Sequence, residues 1–278
     1  SHSASVLDVA FSPDGSRVLT ASADGTAKLW TSRSDRELLT LDAHTDEVTS
    51  VAFSPDGGYA LTGGDDERVV LWELSGGRQI SSMDFGSRWG PISLAFSPDG
   101  STAILAGQFS LEMRALPGGA LLEGLGDRQH GERVVTGHPG VIYSMALSRD
   151  ATYAITGSGH GAPDPPTSPR ELAMVWDLEG GERKHVLLGH ALDVNAVAIT
   201  PDGGHALTGS DDTSIKLWDL ETGSELRRFG GTLSPVNTVA VSPDGRYAAS
   251  GSSDKGVRLW DLARGGQARF LAGHEVRI

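Results

Sequence analysis

Nine histidines, 36 acidic residues and no cysteine bound the chemistry this 278-residue chain could carry. His130 and His160 each have an aspartate close by, Asp127 and Asp164. Imidazole nitrogens with carboxylate oxygens form a donor set suited to a divalent metal. However, no H-x-x-x-H spacing joins them, and solvated histidines near acids are ordinary. We therefore assign no metal site, no cofactor and no catalytic residue, and keep small-molecule or metal binding at these loops as a minor alternative. The absence of cysteine excludes disulfides, thiolate catalysis, zinc–thiolate sites and c-type haem attachment. No Gly-rich phosphate loop precedes a helix, because nothing in the chain reads as helix. His185 and His205 stand alone and read as surface residues.

Five other histidines share one slot. His2, His44, His138, His190 and His274 each belong to a recurring unit, and where the unit is complete the histidine stands nine residues before the end of a short apolar run. The unit's other marker is a tryptophan. T-A-S-A-D-G-T-A-K-L-W ends at Trp30, T-G-G-D-D-E-R-V-V-L-W at Trp72, T-G-S-D-D-T-S-I-K-L-W at Trp218 and S-G-S-S-D-K-G-V-R-L-W at Trp260, with a looser copy ending at Trp176. The steps Trp30–Trp72, Trp176–Trp218 and Trp218–Trp260 are each 42 residues, a period that denotes a repeat architecture. Between the two markers lies F-S-P-D-G (11–15, 53–57, 96–100), T-P-D-G from Thr200, S-P-D-G from Ser242, or a degenerate S-R-D-A from Ser148. Proline sets φ at the second turn position, aspartate bonds back to the backbone and glycine closes the turn, so each marker predicts two strands joined tightly.

Gly-His and Trp-Asp pairs about 42 residues apart resemble the WD-repeat family of β-propellers, and the resemblance covers essentially the whole chain. Trp176-Asp177, Trp218-Asp219 and Trp260-Asp261 keep the dipeptide, whereas Thr31 follows Trp30 and Glu73 follows Trp72. The resemblance implies an all-β fold of four-stranded antiparallel blades in one domain, 1–278. Six blades are evident, at about 2–43, 44–87, 88–124, 138–189, 190–231 and 232–272. Gly273–Ile278 opens a seventh, so a closed six-blade ring and a seven-blade ring completed by further sequence both remain open. It also implies a buried hydrogen-bond network of His, Ser/Thr, Asp and Trp in each blade. Carried over, the sets are His2, Thr20, Asp24, Trp30; His44, Thr62, Asp66, Trp72; and His190, Thr208, Asp212, Trp218. Partial sets are His138 with Trp176, and Ser250, Asp254, Trp260, where Thr232 replaces the histidine. These sets look like catalytic triads on paper, but a satisfied buried network that pins a turn to a strand is the role expected of them. Repeat three departs: Arg88 stands for the histidine, Gln108 for the aspartate and, counting from Leu105, Arg114 for the tryptophan.

The period breaks once. Arg114 to Trp176 spans 62 residues, an excess of 20 that divides into insertions at 123–133 and 159–170, the second rich in proline and incompatible with strand. In an antiparallel blade the loop entering strand one and the loop joining strands two and three lie at the same end. Both insertions should therefore rise from one face at blade four, flanked by the irregular loops of blade three. Elaborated loops on a rigid scaffold make binding surfaces. The candidate partner-binding residues are Arg88, Trp89, Phe109, Asp127, Arg128, His130, Arg133, His160, Asp164 and Arg170, with Arg88 and Trp89 as anchors.

The function expected is a non-catalytic protein–protein interaction scaffold, with a sensor or targeting module of a larger multidomain enzyme or complex as the alternative. The partners are other proteins, and the chain could be a subunit of a larger assembly. A net charge of −13 without any basic block argues against nucleic acid and anionic membrane as partners. The compartment stays open, the cytoplasm being slightly favoured, with room for a leader or further domains outside these residues.

Overall fold

The structure, a computed structural model, describes residues 1–85, 93–107, 110–119, 121–124, 138, 140–159, 172–230 and 232–272. Among them every regular element is a strand, and 24 strands form six four-stranded antiparallel sheets. Sheet one holds Val6–Phe11, Arg17–Ser22, Ala27–Thr31 and Glu37–Leu41. Sheet two holds Val48–Phe53, Tyr59–Gly64, Arg68–Glu73 and Arg78–Asp84, and sheet three Ser93–Phe96, Thr102–Ala106, Leu111–Ala115 and Leu121–Gly124. Sheet four holds Val141–Leu147, Tyr153–Gly159, Ala173–Asp177 and Glu182–Val186. Sheet five holds Val194–Ile199, His205–Ser210, Ile215–Asp219 and Glu225–Phe229, and sheet six Val236–Val241, Tyr247–Ser252, Gly256–Asp261 and Gly266–Ala272. The chain divides into two compact units, Ser1–Gly124 with Gln129–Val135, and Leu125–Arg128 with Thr136–Ile278. Sheets one to three belong to the first and sheets four to six to the second. Strand Leu121–Gly124 takes in Glu123 and Gly124, the first two residues of the 123–133 segment.

The recurrent turn explains its own sequence. In sheet one the Ser12 hydroxyl donates to Asp14 Oδ1, the same oxygen accepts the Ser16 N–H, and the Arg17 N–H donates to Ser12 Oγ. Gly15 closes the turn with φ +67, a left-handed conformation that suits glycine. The set recurs at Ser54/Asp56, Ser97/Asp99, Ser148/Asp150, Thr200/Asp202 and Ser242/Asp244. Because the turn satisfies its own polar groups, the two strands it joins start in a set register.

Within each unit consecutive sheets pack face to face. Leu19, Leu29 and Leu41 of sheet one meet Val48, Val51 and Trp72 of sheet two. Leu61, Leu71 and Phe85 then meet Leu94, Phe96 and Leu105 of sheet three. In the second unit Ile155, Val175 and Leu187 face Val194, Val197 and Trp218, and Leu207, Leu217 and Phe229 face Val236, Val239 and Trp260. The glycine of T-G-S serves this approach. A Cβ on Gly157 would meet Val194 Cγ1 at 2.7 Å, and one on Gly209 would meet Val236 Cγ1 at 2.6 Å. Some positions that are buried in sheets two and five lie open in sheets one and six. Val9 is 57% exposed where its counterpart Val51 is 5%, and Leu271 is 42% exposed where Phe229 is 2%.

Candidate functional site

The ten candidate partner-binding residues, Arg88, Trp89, Phe109, Asp127, Arg128, His130, Arg133, His160, Asp164 and Arg170, lie outside the described residues, as do Gln108 and His274. What the structure does place is the rim from which the inserted segments depart. Val141, eight residues after the first inserted segment, pairs with Gly159, the first residue of the second, at one end of sheet four.

Beside that pair, the register slips between Ile142 and Ser144, making Tyr143 the extra residue of a β-bulge. Bulges re-aim a side chain. Tyr143 is 37% exposed, its hydroxyl lies 3.5 Å from Asp193 Oδ2, and burial followed by the Asp193 charge raises the phenol above its ordinary pKa. The same slip falls at Leu7, Thr49, Asn195 and Asn237. Asn195 Nδ2 donates to Asp211 Oδ1 at 2.6 Å and to the Val236 carbonyl at 3.1 Å, joining sheet five to sheet six, while Asn237 Nδ2 donates to Ser253 Oγ at 3.0 Å. Sequence reasoning passed over these residues. Their signal is a fixed offset of five from the histidine slot: Leu7, Thr49, Tyr143, Asn195, and Asn237 after Thr232.

The histidine sets come together in space. His44 Nδ1 lies 2.9 Å from Asp66 Oδ1 and Nε2 lies 2.7 Å from Thr62 Oγ1, which also accepts the Trp72 Nε1–H at 2.9 Å. His190 stands 2.9 Å from Asp212 and 2.7 Å from Thr208, with Trp218 donating to Thr208 at 2.8 Å. His2 repeats the pattern with Asp24, Thr20 and Trp30 at 2.9, 2.7 and 2.9 Å. In sheet four His138 Nε2 is 2.6 Å from Thr156 Oγ1, which accepts Trp176 Nε1–H at 2.8 Å.

Proton accounting sets what these sets can do. With imidazole protonated at Nδ1, that N–H donates to the aspartate, and Nε2 accepts the threonine hydroxyl proton. The threonine oxygen in turn accepts the indole N–H, so every donor is used. Thr62 and Thr208 are fully buried, as is Thr156. At Asp212 burial opposes ionisation, but hydrogen bonds from His190, Ser214 and the Ala191 backbone outweigh it and hold the carboxyl well below its usual range. Asp24 is held low against burial in the same way by Thr26, Ser3 and His2.

Two sheets replace the set. In sheet three Ala103 pairs with Arg114 as Ala60 pairs with Trp72, which puts Arg114 at the tryptophan position, and Leu105 stands where the threonine would. Arg114 Nε and Nη2 both reach Glu112 Oε2, at 3.0 and 2.6 Å, and Glu112 is buried. In sheet six Trp260 still donates to Ser250 Oγ at 2.9 Å. With threonine in the histidine slot, Arg258 takes Asp254 instead, Nη1 to Oδ1 at 3.1 Å and Nη2 to Oδ2 at 2.7 Å. The guanidinium lies 4.8 Å over the Phe270 ring. Lys28 and Lys216 hold the corresponding position beside the threonine in sheets one and five, where they pair with Glu37 and Glu225.

Among the described residues no three His, Asp or Glu side chains are placed to hold a metal ion, and no helix is long and apolar enough to cross a membrane. No curated protein matches the chain. The WD domain, G-beta repeat family does match, at residues 1–31, 35–73, 181–219 and 223–261. The last three matches each run from the fourth strand of one sheet through the third strand of the next. Together the four matches take in more than half of the chain, and every one ends on the residue after a network tryptophan: the protein belongs to the WD-repeat family.

Proposed function

We propose that this chain is a non-catalytic scaffold that binds a protein partner at the end of sheet four where segments 123–133 and 159–170 depart. WD repeats generally mediate protein–protein interaction. The observation that supports the reading is the Val141–Gly159 pair, in which Gly159, where the second segment begins, lies across from Val141, eight residues after the first segment. Tyr143, in the bulge next to it, offers an exposed aromatic of the kind that dominates binding energy. The non-catalytic part is supported by the closed networks of sheets one, two and five, in which histidine, aspartate and threonine are hydrogen-bonded to one another and pin a turn to a strand.

Paired affinity capture tests it. One bait is this chain, and the other has both inserted segments shortened to the ordinary repeat length, with folding checked by circular dichroism. A protein retained by the first bait and lost from the second is the expected result. Equal capture by both overturns the placement of the site.

A further inference from the structure

We infer that the groove between sheets five and six is a docking site for an arginine side chain carried by an extended, basic segment of a partner protein. The groove measures about 520 Å³ and is lined by Asp202, His205, Asp244 and Gly245, with Leu217 and Leu262 supplying apolar wall. It lies at the T-P-D-G and S-P-D-G turns. That is the opposite end of the sheets from the one where Val194 pairs with Ser210, and so a different site from the loop end proposed above.

The chain itself shows what such a groove holds. His205 opens the second strand of sheet five, where Arg17 stands in sheet one. Between sheets one and two, Arg17 Nη2 donates to the Gly57 carbonyl at 2.7 Å, and its guanidinium sits 5.7 Å over the Phe53 ring. A Cβ built on Gly57 would meet Arg17 Nη2 at 3.0 Å; on Gly245, the counterpart in sheet six, it would meet only Pro201, at 3.7 Å. The His205 imidazole instead turns to Asp202, its Nδ1 3.8 Å from Oδ2. The position an arginine fills between sheets one and two is thus open space between sheets five and six.

Charge favours the same occupant. Asp202 Oδ1 accepts the Thr200 hydroxyl and the Gly204 N–H, and Asp244 Oδ1 accepts the Ser242 hydroxyl and the Arg246 N–H. These bonds, the hydroxyls first, hold both carboxyls below their usual range, so both are anionic at neutral pH. Among the described residues no hydrogen bond reaches the second oxygen of either; His205 Nδ1 stands 3.8 Å from that of Asp202, and the Arg246 charge acts on Asp244. A guanidinium offers planar, forked donors for a carboxylate and a carbonyl together and stacks on apolar surface, which an ammonium does less well.

Titration of the isotope-labelled chain followed by NMR tests this, with the peptide acetyl-Gly-Ser-Arg-Ser-Gly-amide and its citrulline analogue as probes. Saturable shifts at the His205, Gly245 and Ala263 amides are expected with arginine, and binding at least about tenfold weaker with uncharged citrulline. His205→Arg should abolish the shifts by placing a guanidinium as Arg17 does. It leaves the turn intact, because the turn uses the His205 backbone N–H rather than its ring. The double variant Asp202→Asn, Asp244→Asn should weaken binding independently of any change at His205. Equal binding of citrulline, unchanged binding to His205→Arg, or shifts spread over the other acidic turns would each overturn the proposal. The capture experiment above reads the opposite sheet end and stands or falls separately.

Discussion

Thr208→Val isolates the hub of one network with little change of shape, since a methyl replaces the hydroxyl. The Thr208 oxygen accepts the Trp218 indole N–H at 2.8 Å and lies 2.7 Å from His190 Nε2, and the residue is fully buried. The substitution leaves two buried polar atoms without their partner. Each such atom costs roughly 1–3 kcal/mol, and the added methyl returns about 0.8 kcal/mol, so a net loss of about 1–5 kcal/mol is expected. Sheet six supplies an internal comparison. There Ser250 accepts the Trp260 N–H at 2.9 Å and no histidine stands behind it. Ser250→Ala therefore strands one polar atom and is expected to cost about 1–3 kcal/mol, less than the two-atom loss at Thr208. Urea unfolding followed by tryptophan fluorescence measures both. A Thr208→Val loss below about 1 kcal/mol, or one no larger than that of Ser250→Ala, refutes the reasoning that the network stabilises the sheet through satisfied buried donors.

Arg258→Met removes the partner of Asp254, whose carboxyl is held low first by the Arg258 hydrogen bonds; the two side chains are 8% and 15% exposed. A loss of about 2 kcal/mol at pH 7 is expected. A depressed carboxyl contributes stability that is present above its unfolded pKa, about 4, and lost as the pH falls further. The wild type should therefore shed this increment in acid and the variant should not, so the two unfolding curves converge as the pH falls below about 4. Curves that stay parallel sink this. Val51→Ala should cost about 2 kcal/mol and Val9→Ala less than about 0.5, because Val51 is 5% exposed and Val9 57%. Equal losses in thermal unfolding mean that another apolar surface covers Val9 in solution.

The sequence alone determined the repeat, the strand order and the hydrogen-bonded turn, since each depends on residues close together along the chain. Ser12, Pro13, Asp14 and Gly15 close their own turn, and its period carries the register far enough to place Arg114 opposite Ala103 despite the missing tryptophan. The His–Thr–Trp sets were legible for a related reason: their members recur at fixed offsets, and register turns a fixed offset into a neighbour in space. Tertiary structure decided the rest. That Arg258 closes on Asp254, only four residues before it, depends on what fills the histidine slot more than 20 residues earlier: in sheets one and five histidine holds the aspartate, and the cation at that position pairs with glutamate instead. That Tyr143 and Asn195 turn toward the loop end depends on a bulge, a property of two paired strands rather than of either one. That His205 borders a groove while Arg17 fills one depends on the neighbouring sheet's turn, 40 residues away in the chain. Local chemistry wrote the strands, and packing between sheets chose which side chains were left facing solvent.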